Sequence, residues 1–275
     1  MGLSQLLSSA YSLMISPVDI LWAEMEKPGM YGIFHIISLL LVIGVCVFAV
    51  IMREKITKAT VTRTLLAVWI IAVVFEIIKQ INFSYSPDTG EWSYQWYAFP
   101  FQFCSSMMYV LPFAVFIRNE RVRDFAYSFL MSYNIFAGLA VMLYPATVFV
   151  EDICINVQTM VHHGSMLIIG VLLYAVKAVK IDYKLILKAT AVFAMLVAAA
   201  LILNGIFADK DGFNMFYVDT EGCELPILGM LFGKVPQPVF VLIYIVGFAA
   251  CATLIMLLMT LIFKLVNLKV AKRNA

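Results

Sequence analysis

An all-α, polytopic membrane protein is the fold class this sequence predicts, and three observations predict it. Seven apolar runs are each close to the ~20 residues that a helix needs to cross a bilayer. They lie near 33–52, 63–81, 97–117, 124–143, 158–179, 185–205 and 237–263. Only 13% of the 275 residues are charged and 63% are hydrophobic, whereas a soluble domain carries about 25% charged residues. The basic residues, finally, gather at alternate joins between the runs.

That alternation sets an expected orientation. Arg53, Lys55, Lys58 and Arg63 flank the first join, and Arg118, Arg121 and Arg123 occupy the third. Lys177, Lys180, Lys184 and Lys188 bracket the fifth, while Lys264, Lys269, Lys272 and Arg273 follow the last run. Of the 19 basic residues only Lys27, Lys79, Lys210 and Lys234 fall on the other side. The positive-inside rule then puts the C-terminus in the cytoplasm and the N-terminus outside. Asp88, Glu91, Glu151, Asp152, Asp209, Asp211, Asp219, Glu221 and Glu224 lie on the outer side. So do Trp92, Tyr94, Trp96, Tyr97 and Phe99, at the entrance to the third run, where amphipathic rings favour the interface. The expected location is the cell membrane, multi-pass. A net charge of +2 gives no ground for a nucleic-acid partner.

The chain divides into an extracytoplasmic interfacial segment over 1–30, a seven-helix membrane domain over 31–265, and a basic cytoplasmic tail over 266–275. The first 16 residues hold no lysine or arginine, so the positive n-region of a signal peptide is missing. Met1 to Pro17 reads as a short interfacial helix or as a tail without structure. The outer loop 206–236 is rich in glycine and proline, and serves either as a mobile lid or as a flexible connector.

Polar side chains inside apolar runs cost free energy and mark candidate sites. Because successive helices alternate direction, most of them share one level, in the outer half. They are His35 in the first run, Glu76, Lys79 and Gln80 late in the second, and Gln102 and Cys104 early in the third. His162 and His163 open the fifth run and Asn204 ends the sixth. Asn134, near the middle of the fourth, is deepest. With ~1.5 Å of rise per residue, Cys104 is expected roughly 10 Å below the start of its run.

Each has a plain structural alternative. Glu76 and Lys79, at i,i+3, can neutralise each other. Asn134 with Gly138 fits helix packing, and Asn204 before Gly205 fits a helix end. Gln102 can bond a neighbouring helix, and His35 can be solvated at the interface. Cys46 and Cys251 read as small hydrophobes. Cys154 and Cys223 fall in outer loops, where they form a disulfide or remain two thiols.

Cys104 and the histidine pair point to chemistry. A histidine beside a thiol can take its proton, giving a thiolate nucleophile and an imidazolium acid. Neighbouring helical positions point about 100° apart, so one histidine is expected to face the bundle and the other solvent or a helix seam. We take His163 as the base. Gln102, Glu76 and His35 are the candidates for supporting hydrogen bonds. Metal binding is the competing use of His35, His162, His163, Glu76 and Cys104. Adjacent histidines chelate poorly on one helix, and no HExxH-type signature is present. No metal and no other cofactor is expected.

Four segments carry a family resemblance: Phe99-Pro100-Phe101-Gln102-Phe103-Cys104, Val161-His162-His163-Gly164, Asn204 with Phe213-Asn214-Met215-Phe216-Tyr217, and Pro236-Gln237-Pro238-Val239-Phe240. In order and spacing the chain resembles the YwaF proteins of bacteria, related to the vertebrate transmembrane protein 164, over roughly residues 30 to 265. The vertebrate relative is described as an acyltransferase that moves fatty acyl groups between phospholipids through a cysteine and a histidine. The resemblance therefore implies Cys104 as nucleophile, His162 or His163 as base, and Asn204 with Asn214 as the family's asparagine pair. Many relatives carry Pro-Leu-His-Leu-Cys where this chain has Pro-Phe-Gln-Phe-Cys. Gln102 cannot shuttle a proton, although its amide can donate to an oxyanion.

The expected function is acyl transfer or hydrolysis on phospholipids or lysophospholipids in the outer leaflet, through a thioester on Cys104. The rival is a transporter or ligand-binding membrane module whose polar cluster holds a solute or metal. Against it stand the missing internal repeat and the absence of paired broken helices. A signalling receptor is a third reading. The sequence leaves oligomeric state open.

Overall fold

The computed structural model describes residues 19–274 except Thr220, Glu221, Glu224 and Pro226. The interfacial helix expected over 1–17 lies outside the described residues. The chain is almost wholly helical. Its helices are α1 (Ile33–Met52), α2 (Lys58–Ser84), α3 (Ser106–Phe116), α4 (Glu120–Leu130), α5 (Tyr133–Leu143), α6 (Ile153–Ala175), α7 (Tyr183–Ile206) and α8 (Gln237–Asn274). A hairpin of β1 (Tyr85–Ser86) and β2 (Glu91–Trp92) holds the only strands among the described residues, with Tyr85 opposite Trp92. Gly90, at φ 70°, supplies its turn.

Among the described residues six stretches are long and apolar enough to cross a membrane, and α4 with α5 counts as one of them, Glu120–Leu143. The third of the seven expected runs is shorter. Its continuous helix is Phe103–Phe116, after a separate 3₁₀ turn at Trp96–Ala98, about 21 Å at ~1.5 Å per residue against a hydrocarbon core of ~30 Å. Two prolines explain this. Pro100 disfavours a helical Phe99, whose ψ is 135°, and Gln102 is still extended at ψ 167°. Pro112 then removes the donor that would satisfy the Met108 carbonyl. The Trp69 indole of α2 donates to that carbonyl instead, at 3.0 Å, and locks α3 to α2. Cys104 therefore stands at the head of a helix, not a turn or two into one.

The α4–α5 break at Met131–Ser132 also has a local cause. Ser128 donates to the Asp124 carbonyl and Ser132 to the Ser128 carbonyl, each at 2.7 Å, and such back-bonding bends helices. α6 passes close by. A Cβ on Gly170 would stand 2.1 Å from Ile135 Cγ1, so only glycine permits this approach.

Burial ranks the helices. α6 and the α4–α5 stretch are the most enclosed, each with 67% of its apolar window buried, against 11% for α1, whose Ile33, Leu41 and Phe48 face outward. α6 is the central helix. Around it an aromatic core converges on Phe103, whose ring lies 5.0 Å from Phe248 and 5.4 Å from Phe193. In lipid such rings are held by close packing against one another rather than by removal from water. Phe103 is thereby anchored, and Cys104, its neighbour, is fixed with it.

The loop 206–236 is not a free lid throughout. Phe213, Met215, Phe216 and Val218 are fully buried. Cys154 and Cys223 are not bridged. Cys154 opens α6 near Asp152, whereas Cys223 packs at Gly229 and acts on Tyr244 of α8.

Candidate functional site

The residues singled out by sequence fall into three groups. The first surrounds Cys104, in the 3₁₀ turn Phe103–Ser105 that leads into α3. The second clamps the loop 206–236. The third joins helices.

At Cys104 the histidine that reaches across is His162, not the expected His163. His162 Nε2 donates to the main-chain carbonyl of Cys104 at 3.0 Å. A carbonyl can only accept, so the proton sits on Nε2 and Nδ1 carries the lone pair. His163 Nδ1 donates to the Thr159 carbonyl at 2.8 Å, which leaves Nε2 bare. His162 Nδ1 and His163 Nε2 are both buried and meet no protein partner. The two rings are 5.3 Å apart, edge to face. Both histidines are buried, at 5% and 7% exposure, rather than one inside and one out. The reason is the central place of α6, which has neighbours on both faces: Gly138 of α5 lies against the His163 carbonyl, and Val42 of α1 against Gly164. Neither ring bonds the thiol itself, against which the Ser105 hydroxyl and main chain lie.

α2 supplies a charged wall to the same group. Lys79 Nζ is 2.8 Å from Glu76 Oε1, and Gln80 Nε2 donates to that oxygen at 2.7 Å. Gln80 also donates to the Ala98 carbonyl at 2.8 Å, tying the wall to the approach of α3. Both charges act on Cys104 and His162. Burial, and then the Glu76 carboxylate, raise the Tyr94 phenol, in the loop after β2, above its ordinary range. A buried pair of this kind costs more desolvation than it returns unless its hydrogen bonds are complete, which is weak ground for a purely stabilising role.

Gln102, Asn204 and Asn214 form the second group. Gln102 donates to the Asn214 carbonyl and accepts from the Phe216 amide, both at 2.9 Å. Asn204 donates to the Met215 carbonyl at 3.2 Å and accepts from its amide at 2.7 Å. Asn214 donates to the Gly222 carbonyl at 2.7 Å and accepts from the Asp219 amide at 3.2 Å. Each amide side chain satisfies buried backbone as a neighbouring strand would. The Gln102 amide is thus engaged on the loop through both its oxygen and one N–H.

His35 and Asn134 join helices. His35 Nδ1 accepts from the Tyr31 amide and Nε2 donates to the Met142 carbonyl, both at 2.9 Å, so its two nitrogens are engaged. Asn134 donates to the Met166 carbonyl at 2.9 Å and pins α5 to α6. Among the described residues no three His, Cys, Asp or Glu side chains are grouped to hold a metal ion.

The family model of the TMEM164 family matches residues 30–260, a span that includes every residue described above. The chain belongs to the TMEM164 family. No curated protein and no solved structure matches it. As a member of that family it is a multi-pass membrane protein, with six helices of spanning length.

Sequence reasoning missed several contributors in this family member. Ser106 is buried with its hydroxyl unpartnered beside the Cys104 turn. Asn82 donates to the Leu21 carbonyl and to Asp152, holding the segment before α1 against the start of α6. Trp69 had a readable signal. With Glu76 and Gln80 it forms an i, i+7, i+11 stripe on one face of α2.

Proposed function

We propose that the protein transfers or hydrolyses acyl groups of phospholipids or lysophospholipids, with Cys104 as nucleophile and His162 as its base. The observation that carries this reading is the His162 Nε2 bond to the Cys104 carbonyl, 3.0 Å long, with Nδ1 of the same ring buried and bare. That bond fixes the tautomer, so Nδ1 is the basic nitrogen. In the first half-reaction Nδ1 takes the thiol proton as Sγ bonds to the ester carbonyl carbon. The carbon–oxygen bond breaks, and the imidazolium returns the proton to the departing lysolipid oxygen. The product on the protein is a thioester at Cys104. A lysolipid hydroxyl, or water, then gives its proton to the same nitrogen, attacks the thioester and releases the thiol, reprotonated.

The helix head supports the attack. Phe103 and Cys104 open a helical stretch, and the first amides of a helix have no intrahelical acceptor. Its partial positive charge lies where negative charge develops on sulfur and carbonyl oxygen. Lys79 and the Ser106 hydroxyl are further donors for that oxygen. The charge bias of the joins puts this end of the bundle in the outer leaflet of the cell membrane.

The second reading, a transporter or solute-binding module, is favoured by one observation. Gln80 Oε1, Ser106 Oγ and the two bare imidazole nitrogens are buried acceptors or donors without protein partners, as a polar solute would need. One assay separates the two. Purified protein in mixed liposomes receives isotopically labelled phospholipid and a lysolipid, and mass spectrometry follows the label. The expected result is labelled product and a trappable acyl adduct on Cys104, both lost in Cys104→Ser. Equal product from that variant and the wild-type protein would remove the thioester mechanism. No turnover by either, across a broad lipid panel, favours the solute reading.

A further inference from the structure

The bundle end remote from Cys104 holds a feature that acyl chemistry leaves unused. A cavity of about 890 Å³ opens between the heads of α2, α4 and α7 and the tail of α6. Lys58, Arg121, Arg123, Lys177, Lys184 and Lys188 line it, against two acids, Glu120 and Asp124. Lys188 pairs with Asp124. The other five cations make no ion pair among the described residues. Arg123 Nε is buried and meets no acceptor. Like charges gathered in one concavity repel each other and raise the local concentration of anions. Arg121, Lys58, Lys177 and Lys184 are exposed, so an anion can reach them.

A second cavity adjoins the first. It measures about 440 Å³ and runs between α3, α4 and α7, lined by apolar side chains that include Val110, Phe113, Val192 and Met195. Phe113 and Met195 are 50% and 62% exposed, so the slot opens on the outward, lipid-facing surface. The two cavities share Arg121 and Phe125. A basic chamber therefore continues into an apolar slot, with a guanidinium at the junction. That sequence of surfaces matches an amphiphile: an anionic head followed by a hydrocarbon chain. Basic pockets between helix ends are suited to phosphate head groups, and Arg is suited to phosphate oxygens through its planar fork of donors.

We propose that this end of the protein binds an anionic glycerophospholipid, its phosphate in the basic cavity and one acyl chain in the slot. The basic cavity lies beyond the far end of α3 from Cys104, while the slot runs back along α3 to Tyr109 and Val110; binding there does not depend on the Cys104 thiol. A free phosphate ion shares the head-group chemistry, but leaves the apolar slot unaccounted for.

The test uses the full chain, purified in mild detergent and stripped of lipid, with native mass spectrometry as readout. The probes are phosphatidylglycerol and phosphatidylcholine of identical acyl chains, and inorganic phosphate. Phosphatidylglycerol is expected to bind at least about 10-fold more tightly than phosphatidylcholine. Lys58→Gln combined with Lys184→Gln alters two exposed side chains, so folding is retained, and should weaken phosphatidylglycerol about 10-fold or more. Met195→Trp, also at an exposed position, obstructs the slot and should weaken the lipid while leaving any protection by phosphate unchanged. Cys104→Ser should bind the lipid as the wild type does. Equal binding of both lipids, or full retention by the double lysine variant, overturns the proposal. Unchanged lipid binding by Met195→Trp, with phosphate competing, assigns the cavity to free phosphate and also overturns it.

Discussion

His162 holds the main-chain carbonyl of Cys104 through Nε2, and this one bond decides which of its nitrogens can act as a base. A glutamine at this position can keep the donor while offering no basic nitrogen. His162→Gln should therefore retain folding but lose activity by roughly 10²–10⁴-fold. His163→Gln should be far milder, because the His163 ring is committed to the Thr159 carbonyl of its own helix. Rates of labelled-lipid turnover for the two variants, with melting temperature as control, provide the check. Equal losses in both would remove His162 from its assigned role.

Trp69 and Pro112 form a compensated defect. Pro112 cannot donate to the Met108 carbonyl, and the Trp69 indole does so from another helix. Trp69→Phe leaves that carbonyl orphaned in an apolar setting, at a cost of about 1–3 kcal/mol. Pro112→Ala restores an amide four residues on, so Trp69→Phe should cost much less in that background. A double-mutant cycle in detergent, read by thermal or denaturant unfolding, should show this coupling. Strict additivity would mean that the indole bond is incidental.

Much of the fold was legible because hydropathy senses length and composition. The first run, 33–52, coincides with Ile33–Met52. The third run misled because Phe99, Pro100, Phe101 and Phe103 are as apolar as a helix interior, whereas their backbone is extended until Phe103 docks among Phe193 and Phe248. That Cys104 and the histidine pair lie together was legible from their shared level. Which histidine reaches Cys104 was not, since α6 has neighbours on both faces. The partners of Gln102 and Asn204 were hidden for another reason: they are main-chain groups of a distant loop, which no periodicity marks.

Orientation is open to direct measurement. The basic joins place Asp88 and Asp211 outside and Lys55 inside. Cysteines introduced at Asp88 and Asp211 should react with an impermeant thiol reagent on whole cells, and one at Lys55 should not. Outside labelling of Lys55→Cys would invert the bundle, and with it the leaflet assigned to Cys104.

Asn204 offers the sharpest test of the loop. Its side chain is 2% exposed and satisfies both the amide and the carbonyl of Met215, one residue before Phe216. Phe216 and Tyr217 hold φ of 61° and 53°, a left-handed pair that costs about 1–3 kcal/mol per residue and persists only when the surroundings enforce it. Gln102 enforces it from the extended approach to α3 through the Phe216 amide, and Asn204 from α7. Asn204→Asp keeps the acceptor and loses the donor, while Asn204→Leu loses both and orphans two buried backbone groups. Each lost partner should cost about 1–3 kcal/mol. Melting temperature should fall in the order wild type, Asn204→Asp, Asn204→Leu. Limited proteolysis should cut within 206–236 progressively faster along the same series, because Phe213 and Met215 leave the core once the clamp is gone. If Asn204→Leu melts and is cleaved like the wild type, the clamp does not hold the loop, and the strained pair must be enforced by the packing of the Phe216 ring alone.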